Sequence, residues 1–403
     1  IEQVRGTMRQ AGLYPNPQAG YLRNDANQPG KLFTTGAFFG QEIVTARKLQ
    51  KSQAVEAREI DRLQHEFQAQ RMRVLNDVRI RFYEVLGAAR QIEAADQLVA
   101  ITQQGLATTE QLHAARHATL ADVLQSRVQA KQVQLLAREA RVRYDSAWRQ
   151  LVNVLGAPEL EPTPLADDIQ DDAAFRDFEA EYQRLLASSP QVQAAIARVG
   201  HARAELVSER ARVYPNVTVQ VVAEQDNINH YSSVNSFLSL PVPVFNRNQG
   251  NIHHAHADIS EAHAEVRRTQ LALRDALADA CQRYETARTQ VHALRDEILP
   301  DAEASLAATS EAQRSGEVST LQVIAAERTY IESRMQYILA WTEVRKVAAE
   351  IDGLLLTGGL NPAELGRALQ GGAQRAQGLL NQIQDNQTPI SLPPAIQTSG
   401  AGP

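Results

Sequence analysis

Two very long stretches of the chain repeat apolar residues in alternating steps of three and four. The first runs from about Glu42 to about Leu106 and carries Ile60, Leu63, Phe67, Val74, Val78, Phe82, Val85, Ala89 and Ile92. The second runs from about Asn251 to about Thr309 and carries Ile259, Ala262, Val266, Leu273, Leu277, Ala280, Tyr284, Ala287, Val291, Leu294 and Ile298. A period near 3.5 residues over so many turns predicts helices packed as in coiled coils. At 1.5 Å per residue, some 60 residues span roughly 90 Å, which no compact domain accommodates. Pro300 lies within the second stretch and predicts a kink or local break. Each long helix returns as a shorter one, from about Leu120 to Leu155 and from about Thr320 to Leu356. The last of these carries Val323, Tyr330, Tyr337, Trp341, Val344, Ala348, Ile351 and Leu355. The connecting segments are Ala107–Thr119 and Arg314–Glu317, so the pattern predicts two antiparallel helical hairpins.

Before each long helix the period changes to two. Val217, Val219 and Val221 alternate with Thr218 and Gln220, the pattern of a half-buried strand. Strands are expected over Asn216–Gln225 and Ser232–Val242, separated by the turn-rich Asp226-Asn227-Ile228-Asn229. A weaker pair is expected over Gln18–Arg23 and Lys31–Phe39, around a loop at Asn24–Gly30. Such segments approach the 9–11 residues of a tilted membrane-spanning strand. Tyr14, Tyr21, Phe38, Phe39, Tyr231, Phe237 and Phe245 fall in or near them. That placement suits either an interfacial aromatic girdle or plain strand propensity.

The two halves share landmarks. Tyr14-Pro15-Asn16 and Tyr214-Pro215-Asn216 lie 200 positions apart, each after a helical stretch (Met8 to Leu13; Ala204 to Val213). Thr119–Leu124 and Ser319–Ile324 keep the same offset. Two landmarks at one offset indicate a duplicated unit. The expected organisation is a first repeat at 1–156 (strand pair 14–40, hairpin 42–155), an acidic Pro-containing linker at 157–189, a second repeat at 190–356 (strand pair 214–244, hairpin 251–356), and a Gly/Gln/Pro-rich segment at 357–403 ending in a flexible tail. In the second copy the helix before Tyr-Pro-Asn begins near Ser189, so a segment is expected to precede Ile1 in the natural chain.

Composition narrows the function. Aromatics are 5% of the 403 residues, which favours long helices with narrow stripes over a bulky core. A net charge of −6 argues against a nucleic-acid partner. The single cysteine, Cys281, excludes an internal disulfide framework and reads as a buried filler. No apolar run reaches transmembrane-helix length, which leaves barrel strands open. No catalytic constellation or Gly-rich phosphate loop is present, so neither enzymatic activity nor a cofactor is expected.

Four strands cannot close a barrel, and bare sheet edges are forbidden in lipid. Three chains would give twelve strands and bring the long helices together around water. The alternative of another class is a soluble coiled-coil scaffold with small β inserts.

At this point the residues resemble the TolC-type outer-membrane factors, most of all their heavy-metal branch typified by CzcC and CusC. The resemblance rests on Tyr-Pro-Asn before each strand pair, on Leu238–Asn251 with its Phe245-Asn246-Arg247-Asn248-Gln249-Gly250-Asn251, and on Gly316–Ile324 followed by Ala325-Ala326-Glu327-Arg328. It covers about residues 1–360. It implies a mainly α fold with a β-barrel part: a homotrimer whose twelve-stranded transmembrane barrel continues as an α-helical barrel, with an equatorial domain from Ala157–Ser189 and the C-terminal region. It implies an outer-membrane exit duct working with a periplasmic adaptor protein and an inner-membrane pump of the RND type, for heavy-metal cations or, alternatively, for drugs or secreted protein.

The same resemblance places the site at the hairpin tips, about Ala114–Leu124 and Arg314–Ile324. Arg116, Thr119, Leu120, Arg314, Gly316, Val318, Ser319 and Thr320 are the expected adaptor contacts; the alternative is that they are only helix connectors. The family often sets carboxylates just past the tip as acidic pore rings. Here Asp122 is retained, its counterpart is Gln322, and a further acidic position is Ala325, so the ring is depleted. No metal site is expected; His253 and His256, three apart among His253-His254-Ala255-His256, are weak candidates at best, because no carboxylate pair or Cys completes a site.

Overall fold

The computed structural model describes residues 1–25, 33–166, 175–227 and 230–360. The expected loop at Asn24–Gly30, the turn at Ile228-Asn229 and the expected segment at 357–403 lie wholly or largely outside them. In order, the chain forms α1 (Glu2–Ala11), β1 (Gln18–Asp25), β2 (Phe33–Ile43), α2 (Lys48–Ala114), α3 (Leu120–Leu155), α4 (Phe178–Ser188), α5 (Pro190–Arg212), β3 (Val217–Asp226), β4 (Ser232–Ser239), α6 (Gln249–Ala293), a π turn (Leu294–Ile298), α7 (Leu299–Arg314) and α8 (Thr320–Asp352).

The hairpins form as the stripes predict, with displaced ends. The 67-residue α2 spans roughly 100 Å. It starts at Lys48 rather than near Glu42, because ladder pairing with β3 carries β2 on to Ile43. Ala46 and Arg47, both at φ 55°, then turn the chain sharply into the helix. It also continues through the expected break at Ala107–Thr119 as far as Ala114. Thr108 and Thr109 look like terminators in sequence, but their hydroxyls donate to the carbonyls of Gln104 and Gly105 and stay within the helix. At the other end, α8 stops at Asp352, and Leu354 and Leu355 adopt left-handed backbone. Buried Asn76 of α2 donates to Leu356 O at 2.8 Å and holds this exit in place.

Pro300 does not end its helix. The π turn at Leu294–Ile298 precedes it, with Leu299 N–H bonding five residues back to Leu294 O. Pro300 has no N–H for the carbonyl four residues earlier, and its ring crowds that carbonyl. One widened turn absorbs the misfit, and α7 continues.

The strands form one antiparallel sheet in the order β1-β2-β3-β4. Gln18 faces Gly40, Thr34 faces Asp226 and Thr218 faces Ser239. The strand β4 stops at Ser239, short of the expected Val242, since Pro241 and Pro243 cannot donate to a ladder. Tyr21, Phe39, Val221, Val234 and Leu238 project from one face and are exposed. Gly20, Gly40, Gln220 and Glu224 alternate with them on the other.

Neighbouring helices form two rows. Toward the strands the order is α1, α2, α5, α6; toward the tips it is α3, α2, α8, then α6 and α7. The core between α6, α8 and the middle of α2 contains Leu86, Leu277, Tyr284, Trp341, Val347 and Ile351. The linker expected at 157–189 contains a helix absent from the sequence reading, α4. Asp177 caps it by accepting from Ala180 N at 2.9 Å, and Leu185 anchors it in this core. Arg274 lies over Phe178 and Tyr182. Cys281 is half-buried against the same core, and burial raises its thiol pKa.

Close approach of α2 to α8 depends on Gly87. A Cβ there would sit 2.2 Å from Thr342 Oγ1. Gly87→Ala is therefore expected to cost about 1–3 kcal/mol by overpacking. Thermal unfolding in detergent should show a lowered midpoint, largely restored by adding Thr342→Ala.

Candidate functional site

The tips are two versions of one device. The first long helix ends with Arg116 N–H bonding to His113 O (2.9 Å) and His117 N–H to Leu112 O (2.8 Å). At the second tip Gly316 N–H bonds to Gln313 O (3.0 Å) and Glu317 N–H to Ala312 O (2.9 Å). These paired bonds make a Schellman close, whose penultimate residue must be left-handed. Gly316 adopts φ 79° and Arg116 φ 60° at matching positions. The second copy thus has the residue suited to that backbone, and the first holds an arginine there against its preference. His113 Nδ1 lies 2.8 Å from Ala118 O and ties the first tip further.

Each returning helix begins with a capping arrangement. Thr119 Oγ1 accepts from Asp122 N (3.2 Å), while Asp122 Oδ2 accepts from Thr119 N (2.8 Å) and from its hydroxyl (2.7 Å). At the second tip Gln322 Oε1 accepts from Ser319 N at 3.3 Å. Asp122 and Gln322, expected as unequal gate residues, thus share one structural task. These bonds lower the Asp122 pKa, the backbone N–H of Thr119 contributing most.

Among the expected contact residues, Arg116, Thr119, Leu120, Arg314, Gly316 and Ser319 are exposed, and Val318 is half-buried. The placement of the Thr320 side chain lies outside the described residues. Leu120, Leu124 and Leu321 add exposed apolar surface to the tips. A shallow groove between α7 and α8 is lined by Ala302, Ser305, Thr309, Val318, Gln322 and Ala325. Glu317 is exposed, and Arg314 pairs with Glu311 at 3.2 Å.

The weak metal candidates both lie in the first turns of α6. His256 Nε2 lies 3.1 Å from Arg210 Nη2, a cation that a bound metal would have to displace. His253 is exposed, and His254 pairs instead with Asp258 at 2.8 Å. Among the described residues no group of His, Cys, Asp and Glu could hold a metal ion.

One residue near the tips carries chemistry that the sequence reading passed over. Glu327 of α8 is 5% exposed and points to Gly105 of α2, where an added Cβ would come within 2.9 Å of Oε1. Burial alone pushes its pKa up to about 7. The sequence signal was an acid in phase with the buried positions Val323, Ile324 and Ile331 of α8, which faces the glycine of another helix.

The junction at the far end of the helices is equally defined. Asn216 Nδ2 donates to Glu42 Oε1 (2.6 Å), and its Oδ1 accepts from Lys48 Nζ (2.5 Å) and Thr45 N (3.3 Å). Thr45 Oγ1 donates to Pro215 O at 2.6 Å. Asn248, left-handed at φ 56°, donates to Glu209 O (2.9 Å) and Glu209 Oε2 (2.7 Å). The second Tyr-Pro-Asn run therefore fastens the sheet to the β2–α2 linker, and Asn248 of the Phe-Asn-Arg-Asn run ties the start of α6 to α5.

The model of the outer membrane efflux protein family matches residues 10–157 and 182–355. The chain belongs to that family. This efflux protein is an outer-membrane channel component and not an enzyme. It is 26% identical over 359 residues to the cobalt-zinc-cadmium resistance protein CzcC of Cupriavidus metallidurans, covering 88% of this chain and 84% of CzcC. It is 25% identical over 317 residues to the outer membrane efflux protein BepC of Brucella suis, covering 74% of this chain and 67% of BepC. The crystal structure of the transmembrane channel CusC superposes with a TM-score of 0.70 at 17% identity, covering 89% of this chain and 87% of that one. The fold, four strands per chain with long helical hairpins, is that of these channels. Among the described residues no helix is long and apolar enough to cross a membrane.

The buried acid makes the tip region of this efflux protein pH-sensitive. Glu327 is raised from 4.5 to about 7 in the folded chain, so its packing is at full strength below the ordinary carboxylate range. That stability is lost progressively as pH rises from 4.5 and is gone above about 7, by an amount on the order of 3 kcal/mol in all. Urea unfolding of the detergent-solubilised protein should show the loss between about pH 4.5 and 7, with a flat profile above, and Glu327→Gln should flatten the sloping part. An unchanged profile in the variant would exclude Glu327 as its source.

Proposed function

We propose that three copies of this chain form a passive exit duct for heavy-metal cations, delivered by an inner-membrane pump of the RND type through a periplasmic adaptor. The observation carrying the duct is the four-stranded sheet itself, with an apolar row on one face and unpaired edges at β1 and β4. A soluble scaffold would leave Tyr21, Phe39, Val234 and Leu238 in water without a partner. In lipid that row is stable, and a closed trimer pairs the edges. The substrate class rests on similarity to CzcC over most of both chains. BepC matches nearly as well in identity, over less of each chain, and favours a second reading as a duct of other efflux specificity.

The exposed leucines and the α7–α8 groove at the tips offer the adaptor an apolar, small-residue surface. Asp122 brings three carboxylates to the same end of the trimer, where a narrow mouth concentrates their field and favours cations. The purified protein in a planar bilayer should give trimeric, cation-preferring channels. Asp122→Asn keeps a cap acceptor, as Gln322 does, and removes the charge. It should lower the cation-to-anion permeability ratio and relieve block by multivalent cations while leaving thermal stability nearly unchanged. Conductance without change in selectivity removes Asp122 from the pore lining, and absence of channels removes the duct. Deleting the gene should sensitise its host to zinc, cobalt or cadmium ions; unaltered tolerance would favour the second reading.

A further inference from the structure

The helix α5 shows different chemistry on its two sides. Arg198 pairs with Glu261 and Glu265 of α6, at 3.0 and 3.6 Å. Five residues turn a helix by roughly 140°, so Arg203 projects to nearly the opposite side. There its Nη2 lies 3.4 Å from His263 Nε2, and among the described residues no carboxylate pairs with it.

A groove of about 510 Å³ opens on this second side. The helix α5 stands between α2 and α6 and supplies Gly200 and Arg203; α2 supplies Arg58, Asp61 and His65, and α6 supplies His263. A Cβ on Gly200 would meet only the Arg58 side chain, 3.9 Å from its Cδ, so the absent side chain leaves room beneath that arginine. Arg203 is three residues on, a spacing that sets Cβ atoms roughly 5–6 Å apart on one helix face. Both guanidiniums therefore reach the same space. Arg58 has an acidic partner, Asp61 at 3.3 Å, but side chains 61% and 49% exposed make that pair weak. Two guanidiniums against one carboxylate leave a formal charge of +1 before the imidazoles are counted, on a chain whose net charge is −6.

We propose that this groove binds a soluble oxyanion of the phosphate class, which bridges Arg58 and Arg203 and ties α2 to α5. Guanidinium forks match phosphate oxygens, and imidazole N–H groups donate to the same atoms. The bridge turns repulsion between two arginines into attraction of both to one anion. The groove faces outward from the duct, a placement that rests on the duct reading. Arg274 follows His263 by eleven positions, close to three full turns, so both project from one side of α6. The helix α4 covers that side through Phe178 and Tyr182, and three such helices inside the duct would obstruct it. A lipid headgroup is too far away to be the ligand. Arg203 lies nine residues before the end of α5 at Arg212, roughly 14 Å short of the sheet side of the helix, whereas the polar layer of a bilayer leaflet is about 5–8 Å deep.

Calorimetric titration of the detergent-solubilised chain with inorganic phosphate tests the site. One phosphate should bind per chain. Arg58→Gln and Arg203→Gln should each weaken binding about tenfold or more, the effect of losing one charge-assisted hydrogen bond. Asp61→Asn should tighten it, since the competing carboxylate is gone, and Arg198→Gln should leave it unchanged. Absence of binding, or affinity unaltered when Arg58→Gln and Arg203→Gln are combined, overturns the site. The titration is repeated in phosphatidylglycerol nanodiscs in 0.15 M salt, where lipid charge is screened beyond about 8 Å. Equal affinity supports a soluble ligand; lost affinity puts a headgroup in the groove and overturns that source. Single channels in a planar bilayer separate the site from the duct. Channels with unaltered conductance in saturating phosphate support the outward placement, and block relieved by Arg203→Gln overturns it. Phosphate binding by a chain that forms no channel overturns the duct and its outer wall while the anion site stands.

Discussion

The constraint that governs this protein is the set of backbone N–H and C=O groups along the free edges of a four-stranded sheet. In water such edges are merely sticky; in lipid each unpaired group costs several kcal/mol. The apolar outer row makes lipid the sheet's solvent, so the chain cannot be complete as a single copy. The helices carry the same incompleteness. Narrow stripes rich in alanine let each helix touch two neighbours, and α1, at the end of the strand-side row, has only α2. Sheet and helices therefore call for the same kind of closure at the same seam.

Two repeats meet this constraint with different local chemistry. Where α2 runs through without interruption, the second hairpin carries Pro300 and absorbs it in a π turn. Where the second tip uses glycine for its left-handed residue, the first holds Arg116 there and adds the His113 contact to Ala118. Where one capping arrangement uses a carboxylate, the other uses an amide. The two halves share backbone geometry with different side chains wherever the backbone bonds still close. The fastening of sheet to helix is the exception, since the asparagine of Tyr-Pro-Asn has its polar partners inside the chain in only one copy.

Much of this was legible in the apolar period, which located both hairpins, and in Pro-Asn and Gly-Glu landmarks that marked their ends. Errors gathered where tertiary contact overrides local signals. The strand β2 gained Glu42 and Ile43 from pairing with β3, which no window around residue 42 could show. The helix α2 kept Thr108 and Thr109 because their hydroxyls found carbonyls of the preceding turn. The helix α4 was hidden in a linker that looked acidic and irregular, although Asp177 and Leu185 were its cap and anchor. At the tips, the types of residue were readable but their tasks were not. Asp122 reads as a gate acid in the sequence, and its bonds to Thr119 add a capping task that the sequence did not show.

The two acids near the tips, Asp122 and Glu327, differ in character. Asp122 is held by a backbone N–H and a hydroxyl, which lower its pKa, so it is charged at neutral pH. Such a group can present a field to passing ions but cannot act as a switch near neutral pH. Glu327 has the opposite character. It sits in a space left by Gly105, with burial as the cause of its shift, and exchanges its proton close to neutrality. Any change that separates α8 from α2 would expose it to water, restore an ordinary carboxylate pKa and release its proton. Opening of the tips and deprotonation of Glu327 are thus linked in sign: alkaline conditions favour the separated helices, acidic conditions the packed ones. The two carboxylates thus differ in what fixes their ionisation, one held by a helix cap and the other by a missing side chain on the neighbouring helix.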